Sequence, residues 1–258
     1  MPISQVVKAA VSGMMGHRLS LDVIANNLAN VNTAGFKSGR VNFTDALYQA
    51  SRMATSNRDL RVGHGVRPVE IQPAFTQGSL QQTDQPTDLA IYGDGFFRIQ
   101  LPDGTVGYTR NGALRIDADG RLVSADGMPL ADNIQVQPGD AGSLSVDPDG
   151  RVRVTRPGET QSQLLGQIQL ARFNNPEGLE ALGQTLYRES QNSGGAQAGL
   201  PNTAGFGQIV QRTLETSNVS MADEMASLVV AQRAYGFSVK VLQTLDEMLG
   251  MANNIRGR

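Results

Sequence analysis

Cysteine is absent from this 258-residue chain, which excludes disulfides, thiolate catalysis and cysteine-based zinc sites and leaves the redox compartment open. Histidine is nearly absent. His17 and His64 are the two present, and HExxH, GxSxG, the P-loop and a GxGxxG followed by a helix are all missing. DADGRL and DPDG fail as calcium loops, because Gly comes fourth and no Glu closes them. No excess of either charge exists: 22 Lys and Arg against 24 Asp and Glu give a formal −2. The basic residues are scattered, so nucleic acid is not an expected partner. Nothing approaches the ~18 consecutive apolar residues of a membrane span. The opening stretch, MPISQVVKAAVSGMMGHRLSLDVIA, lacks the basic n-region and unbroken apolar h-region of a secretory signal peptide. Neither membrane insertion nor a cleaved signal is expected, and no catalytic, cofactor or metal residue is assigned.

What the chain does contain is periodicity at both ends. Ile3, Val7, Ala10, Met14, His17, Leu21, Ile24, Leu28 and Val31 step by four and three. Only His17 breaks the apolar run, so the spacing predicts a helix with a coiled-coil seam. Met221, Met225, Leu228, Gln232, Tyr235, Val239, Leu242, Asp246 and Leu249 repeat the pattern, broadened by Leu245 and Met248. Ser220 reads as an N-cap, with Asp223 and Glu224 near the positive helix end. His17 is expected to pack or set register rather than catalyse, and His64 to belong to a loop.

Between the ends the period changes. From Asp88 to Leu130 short β-branched and aromatic runs alternate with Asp103-Gly104, Asp119-Gly120 and Asp126-Gly127, and Asp149-Gly150 follows. These dipeptides predict tight hairpin turns, and GDGFF predicts a bulge or close backbone approach. Residues 164–173 read as a strand and 176–190 as an extended or partly helical return. The expected fold class is α+β, with helical coiled-coil arms from both chain ends flanking an inserted, mainly antiparallel β domain. The expected boundaries are 1–36 plus 208–258 for a discontinuous helical assembly domain, and 37–85 for an extended polar connection. The β domain then covers 86–190, and 191–207 is a Gly-, Ser- and Asn-rich linker.

Helical arms of this size bury too little apolar surface to offset their ordering entropy unaided, so their expected partner is further copies of the chain. Asn26, Asn27, Asn30 and Asn32 crowd the end of the first helix. Asparagine is a poor helix former, but it can satisfy both backbone donors and acceptors. With Gly35 it forms a candidate joint that pins the arm to neighbouring subunits.

The stretches SGMMGHRLSLDVIANNLANVNTAGFKSGRVNF, DLAIYGDGFFRIQLPDG, YTRNGALRIDADGRLVSADGMPL and LETSNVSMADEMASLVVAQRAYGFSVKVLQTLDEML together resemble the bacterial flagellar rod and hook protein family, in order and over nearly the whole chain. The resemblance implies a non-enzymatic axial subunit of the basal body, without cofactors, exported without a cleaved signal. Such a subunit polymerises helically into the shaft that links motor to hook and transmits torque. Chain length and the polar stretch at 48–65 place it in the distal rod. The alternatives are another rod subunit of similar length, a short hook-like protein or, outside the family, a secreted β-domain binding module with oligomerising helices. Partners implied are further copies, other rod proteins and the hook protein, with ring or bushing proteins and peptidoglycan as neighbours. Carried over as assembly residues are Asn26, Asn27, Asn30, Asn32, Gly35, Phe36 and Lys37, and Ser217, Asn218, Gln232, Arg233 and Tyr235. The seams add Val7, Met14, Leu21, Ile24, Leu28, Met225, Leu228, Val239 and Leu242. Gly16-His17 and Gly236 depart from the family pattern.

Overall fold

The computed structural model describes residues 3–46, 49–52, 59–62, 65–137, 143–156 and 161–256. His64 lies outside them. The chain divides into two compact units: Met1–Ala29, Gly39–Pro73 and Ser220–Arg258 form one, and Asn30–Ser38 and Ala74–Val219 form the other. The fold class is α+β, with an N-terminal helix, a mainly antiparallel β unit and a C-terminal helix.

In the first unit, helix α1 (Ile3–Ala29) packs against helix α2 (Met221–Arg256). They run antiparallel: Asn27 Nδ2 donates to Glu224 Oε1 at 3.0 Å, and a methyl placed on Gly13 would meet Ser238 Oγ at 4.0 Å. Ser220 caps α2 as its sequence position predicts, its Oγ accepting from the Asp223 amide. A ribbon of Gly39–Asp45 and Val66–Pro73 also lies on α1, where Gly16 leaves room for the Phe43 ring and Val66. Within the 37–85 stretch, this ribbon gives the extended chain a paired partner. The register shift between Asn42 and Phe43 falls where Phe43 opposes Pro68. A proline in the ribbon and the bulge beside it break the alternation from which a strand would be read.

The narrow seam is not what a single chain buries. Among the described side chains of α1, Gly16, Val23 and Asn27 are the buried positions, whereas Val7, Ala10, Met14, His17, Leu21, Ile24 and Leu28, with Val31 just beyond the helix, are only half-buried. Lying on a helix and a ribbon at once calls for a wider face than two positions per heptad. On α2, Ala231 is buried and Leu228, Tyr235, Val239, Leu242 and Leu245 are half-buried, but Met221, Met225, Gln232, Asp246 and Leu249 face solvent.

The second unit is built on a six-stranded antiparallel sheet. Its order is Glu180–Gly183, Leu186–Arg188, Val106–Thr109, Phe96–Gln100, Leu170–Arg172, Gln197–Gly199. Alternation along the strands makes two cores. Phe97, Ile99, Leu170 and Leu186 enter an aliphatic core completed by Leu144, Val146, Val152 and Val154 of a three-stranded sheet. Phe96, Tyr108, Ala171 and Tyr187 point the other way, into an aromatic cluster with Phe75 and Phe173, whose rings meet edge to face at 4.8–5.7 Å. The four predicted Asp-Gly turns all carry positive φ at Gly, between 80° and 83°. GDGFF is a close approach: a methyl on Gly95 would lie 3.1 Å from Leu170 Cδ1.

Three stretches differ from the sequence reading. The strand expected at 164–173 is broken into Gln163–Gln167 and Leu170–Arg172, which join different sheets. The Gly-rich 191–207 contributes the edge strand Gln197–Gly199. Residues 208–215, assigned to the helical region, instead form strands: Gln208–Gln211 pairs with Leu89–Tyr92 and Thr213–Glu215 with Leu80–Gln82.

Candidate assembly faces and a buried charge cluster

The joint after α1 folds as a compact loop within the β unit. Thr33 N donates to Asn30 O and Phe36 N to Thr33 O, closing a turn, and Gly35 N donates to Glu215 O at 2.8 Å. Gly35 has φ +68°, and a Cβ there would lie 2.4 Å from Asn111 N and 2.6 Å from Arg110 C. Only glycine meets both demands, the left-handed backbone and the contact with a neighbouring strand end. Lys37 then projects into the unit, where its Nζ donates to Thr76 O at 2.8 Å and to Glu215 Oε1 at 2.5 Å.

Glu215 is the hub of this cluster. Its side chain is fully buried and accepts from the Gly78 amide at 2.9 Å as well as from Lys37. Arg110 Nη1 lies 3.5 Å from its Oε2. Two cations thus surround one carboxylate, all with side chains no more than 4% exposed. Burial holds the Lys37 ammonium below its ordinary range despite Glu215, and lowers the Arg110 guanidinium likewise.

Two asparagines bridge backbone inside the chain. Within the β unit, Asn218 Oδ1 accepts from the Ser38 amide at 2.8 Å, while its Nδ2 donates to Ala74 O and Thr76 Oγ1. Within the helical unit, Asn27 Oδ1 accepts from the Gly39 amide at 2.9 Å and its Nδ2 donates to Gly39 O and Glu224. Asn27 is 3% exposed. These two side chains are committed to the subunit's own backbone rather than available to a neighbour. Ser217 is likewise turned inward, its Oγ accepting from the Val219 amide. Of the remaining joint residues, Asn26 and Asn32 are exposed and Asn30 and Phe36 half-buried, while on α2 Gln232 and Arg233 face solvent.

The exposed side of α2 carries an apolar stripe. Val230, Phe237, Val241 and Met248 are 68%, 71%, 44% and 61% exposed. Their spacings of seven, four and seven put them on one line of the helix, away from the face turned to α1. Met15 of α1 is 63% exposed. The seam count missed this line because its steps of four and three passed through Leu228, Tyr235, Val239 and Leu242, which half-bury on another face of the helix. Sequence reading also missed Glu215 and Arg110 as cluster members. The strand Thr213–Glu215 is buried, half-buried, buried, with the polar residues inward, which inverts the expected alternation. Among the described residues, no helix is long and apolar enough to cross a membrane and no group of three or more His, Cys, Asp or Glu could hold a metal.

Three family models match the chain. Residues 8–37 match the flagella basal body rod protein model, 90–154 the flagellar hook protein FlgE/F/G D1 domain, and 210–255 the flagellar basal body rod FlgEFG protein C-terminal model. The protein class is thus that of flagellar rod and hook proteins. The flagellar basal-body rod protein FlgG of Borreliella burgdorferi is 45% identical over 96% of this chain and 97% of its own length. That of Caulobacter vibrioides is 39% identical over 98% and 99%. The flagellar hook protein FlgE of Helicobacter mustelae matches at 42%, but over only 58% of this chain and 35% of its own. The chain belongs to the flagellar basal-body rod protein FlgG family.

Proposed function

We propose that this protein is a structural subunit of the distal rod of the bacterial flagellum, polymerising helically through its two terminal helices into the shaft that carries torque from motor to hook. The observation that carries the reading is the stripe Val230, Phe237, Val241 and Met248 on α2. Four large apolar side chains in line along one helix face form the kind of patch that marks an interaction surface. Their heptad spacing suits knobs-into-holes packing between subunits, so the coiled-coil contact expected from the sequence belongs to the polymer. A stripe that must meet a different surface on the next copy makes a heterologous contact, which propagates as an open helix. Other rod proteins and the hook protein continue the axis, with ring or bushing proteins and peptidoglycan as neighbours.

Val230→Asp combined with Phe237→Asp tests this reading. Both positions are exposed, so the monomer should keep its far-UV circular dichroism and lose no more than ~0.5 kcal/mol of stability. Polymers should vanish in sedimentation velocity and electron microscopy, and a strain carrying the variant should lose motility. Polymers in wild-type yield from a folded double variant would overturn the proposal.

A further inference from the structure

Beside the buried cluster, on the aromatic side of the six-stranded sheet, lies a cavity of about 310 Å³ walled by Phe75, Phe96 and Phe173 and lined by Arg110, Arg172 and Asp94. We propose that this cavity is a carboxylate-binding site for a ligand whose small apolar or aromatic body lies against the three phenylalanines.

Charge is the first argument. Lys37 and Arg110 share one buried carboxylate, Glu215, and the second anion acting on Arg110, Asp94, is exposed to solvent at the cavity. Arg110 also has unused donors: it is 3% exposed, its Nη1 donates to Gly93 O at 2.9 Å and lies 3.5 Å from Glu215, and its Nε is buried without a partner, as is Oε2 of Glu215. An idle buried donor of this kind is costly and rare. Arg172, half-exposed at the same cavity, makes a single hydrogen bond, from Nη1 to Gly205 O at 3.1 Å. Both arginines line the cavity, and a planar carboxylate is the group that guanidinium forks bind in pairs of hydrogen bonds. The wall adds to this: Arg110 stacks over Phe96 at 5.2 Å, a cation–π contact that holds its guanidinium against the aromatic side of the cavity. Asp94, exposed on the rim, is the group that opposes anion entry. The volume is at the lower end for small-ligand pockets.

A carboxylate of this kind can be a free small molecule or an Asp or Glu side chain of a second copy in the polymer. The full-length monomer is titrated with benzoate, and with benzylamine as the same body bearing the opposite charge, while arginine Nε–H resonances are followed by NMR. Saturable shifts of the Arg110 and Arg172 signals are expected with benzoate and none with benzylamine. Arg172→Gln should weaken benzoate about tenfold, the value of one charge-assisted hydrogen bond. Asp94→Asn should tighten it several-fold, a gain that a merely structural aspartate would not give. No saturable benzoate binding overturns the proposal, as does equal binding of benzylamine or unchanged benzoate affinity in a folded Arg172→Gln protein. The source follows from assembly: if it is a neighbour's side chain, benzoate and Arg172→Gln both slow polymerisation of the wild-type stripe, whereas a free ligand leaves polymerisation untouched. Because binding is read on the monomer, it stands or falls independently of the α2 stripe.

Discussion

Glu215→Gln offers the sharpest test of the charge cluster. The substitution preserves shape but leaves Lys37 and Arg110 buried with no anion between them. Removing one partner of a buried pair costs ~3–5 kcal/mol, because the other charge is stranded. Arg110 cannot shed its proton, but Lys37 can. Its ammonium is already depressed by burial, and Glu215 is what holds it up. Without the carboxylate it falls further, and the fold then carries a neutral lysine where the unfolded chain carries a charged one. In that window the unfolded state binds one more proton, so stability rises with pH at about 1.4 kcal/mol per unit until the unfolded value near 10.4 is reached. Neutralising Lys37 at pH 7 therefore limits its own share of the loss to about 4.6 kcal/mol, and to about 1.3 kcal/mol at about pH 9.5. Urea unfolding of the β unit, followed by far-UV circular dichroism, should show a deficit of ~3–5 kcal/mol at about pH 7 that shrinks by ~2–3 kcal/mol at about pH 9.5. Adding Lys37→Met should abolish that pH dependence and recover part of the loss, since the two sites are coupled. A Glu215→Gln protein within 1 kcal/mol of wild type, or with a deficit flat in pH, would refute the reasoning.

Other substitutions probe the joint and the helices. Gly35→Ala should cost ~2–5 kcal/mol, from the positive φ and the collision with Arg110 and Asn111 backbone, seen as a lower melting temperature of the β unit. Asn218→Ala removes the acceptor of the Ser38 amide and the donors to Ala74 and Thr76, and a loss of ~1–3 kcal/mol in denaturant titrations is expected. Gly236→Ala, at a helical position with nothing within 4 Å of the added methyl, should stabilise α2 by ~1 kcal/mol, measured as delayed thermal loss of helicity.

Much of the architecture is legible in the sequence because it rests on local chemistry. The Asp-Gly turns need only a residue that tolerates positive φ, and the helices need only apolar spacing and the Ser220 cap. The illegible parts rest on distant partners. Gly199 reads as linker because glycine is common in linkers, yet it is in a sheet edge beneath Phe206, whose ring a methyl would meet at 2.3 Å. Glu215 falls in the stretch assigned to the helical region, and only the meeting of Gly78, Lys37 and Arg110 around it makes its burial tolerable. The asparagines announce themselves by their density, but not which of them turn inward. Asn27 and Asn218 do so because a backbone amide and carbonyl lie within reach of the same side chain.

The pairing of Lys37 with Glu215 spans 178 positions, and this separation sets an order of events. A chain that emerges from one end, whether from a ribosome or from a narrow conduit, presents both cations before their carboxylate at residue 215 is out. Contacts of such long range close late. The early-emerging loop around Gly35 therefore lacks its Glu215 partners, backbone and side chain alike, until late in that passage. The ion cluster that ties this loop into the β unit is thus among the last of its contacts to close.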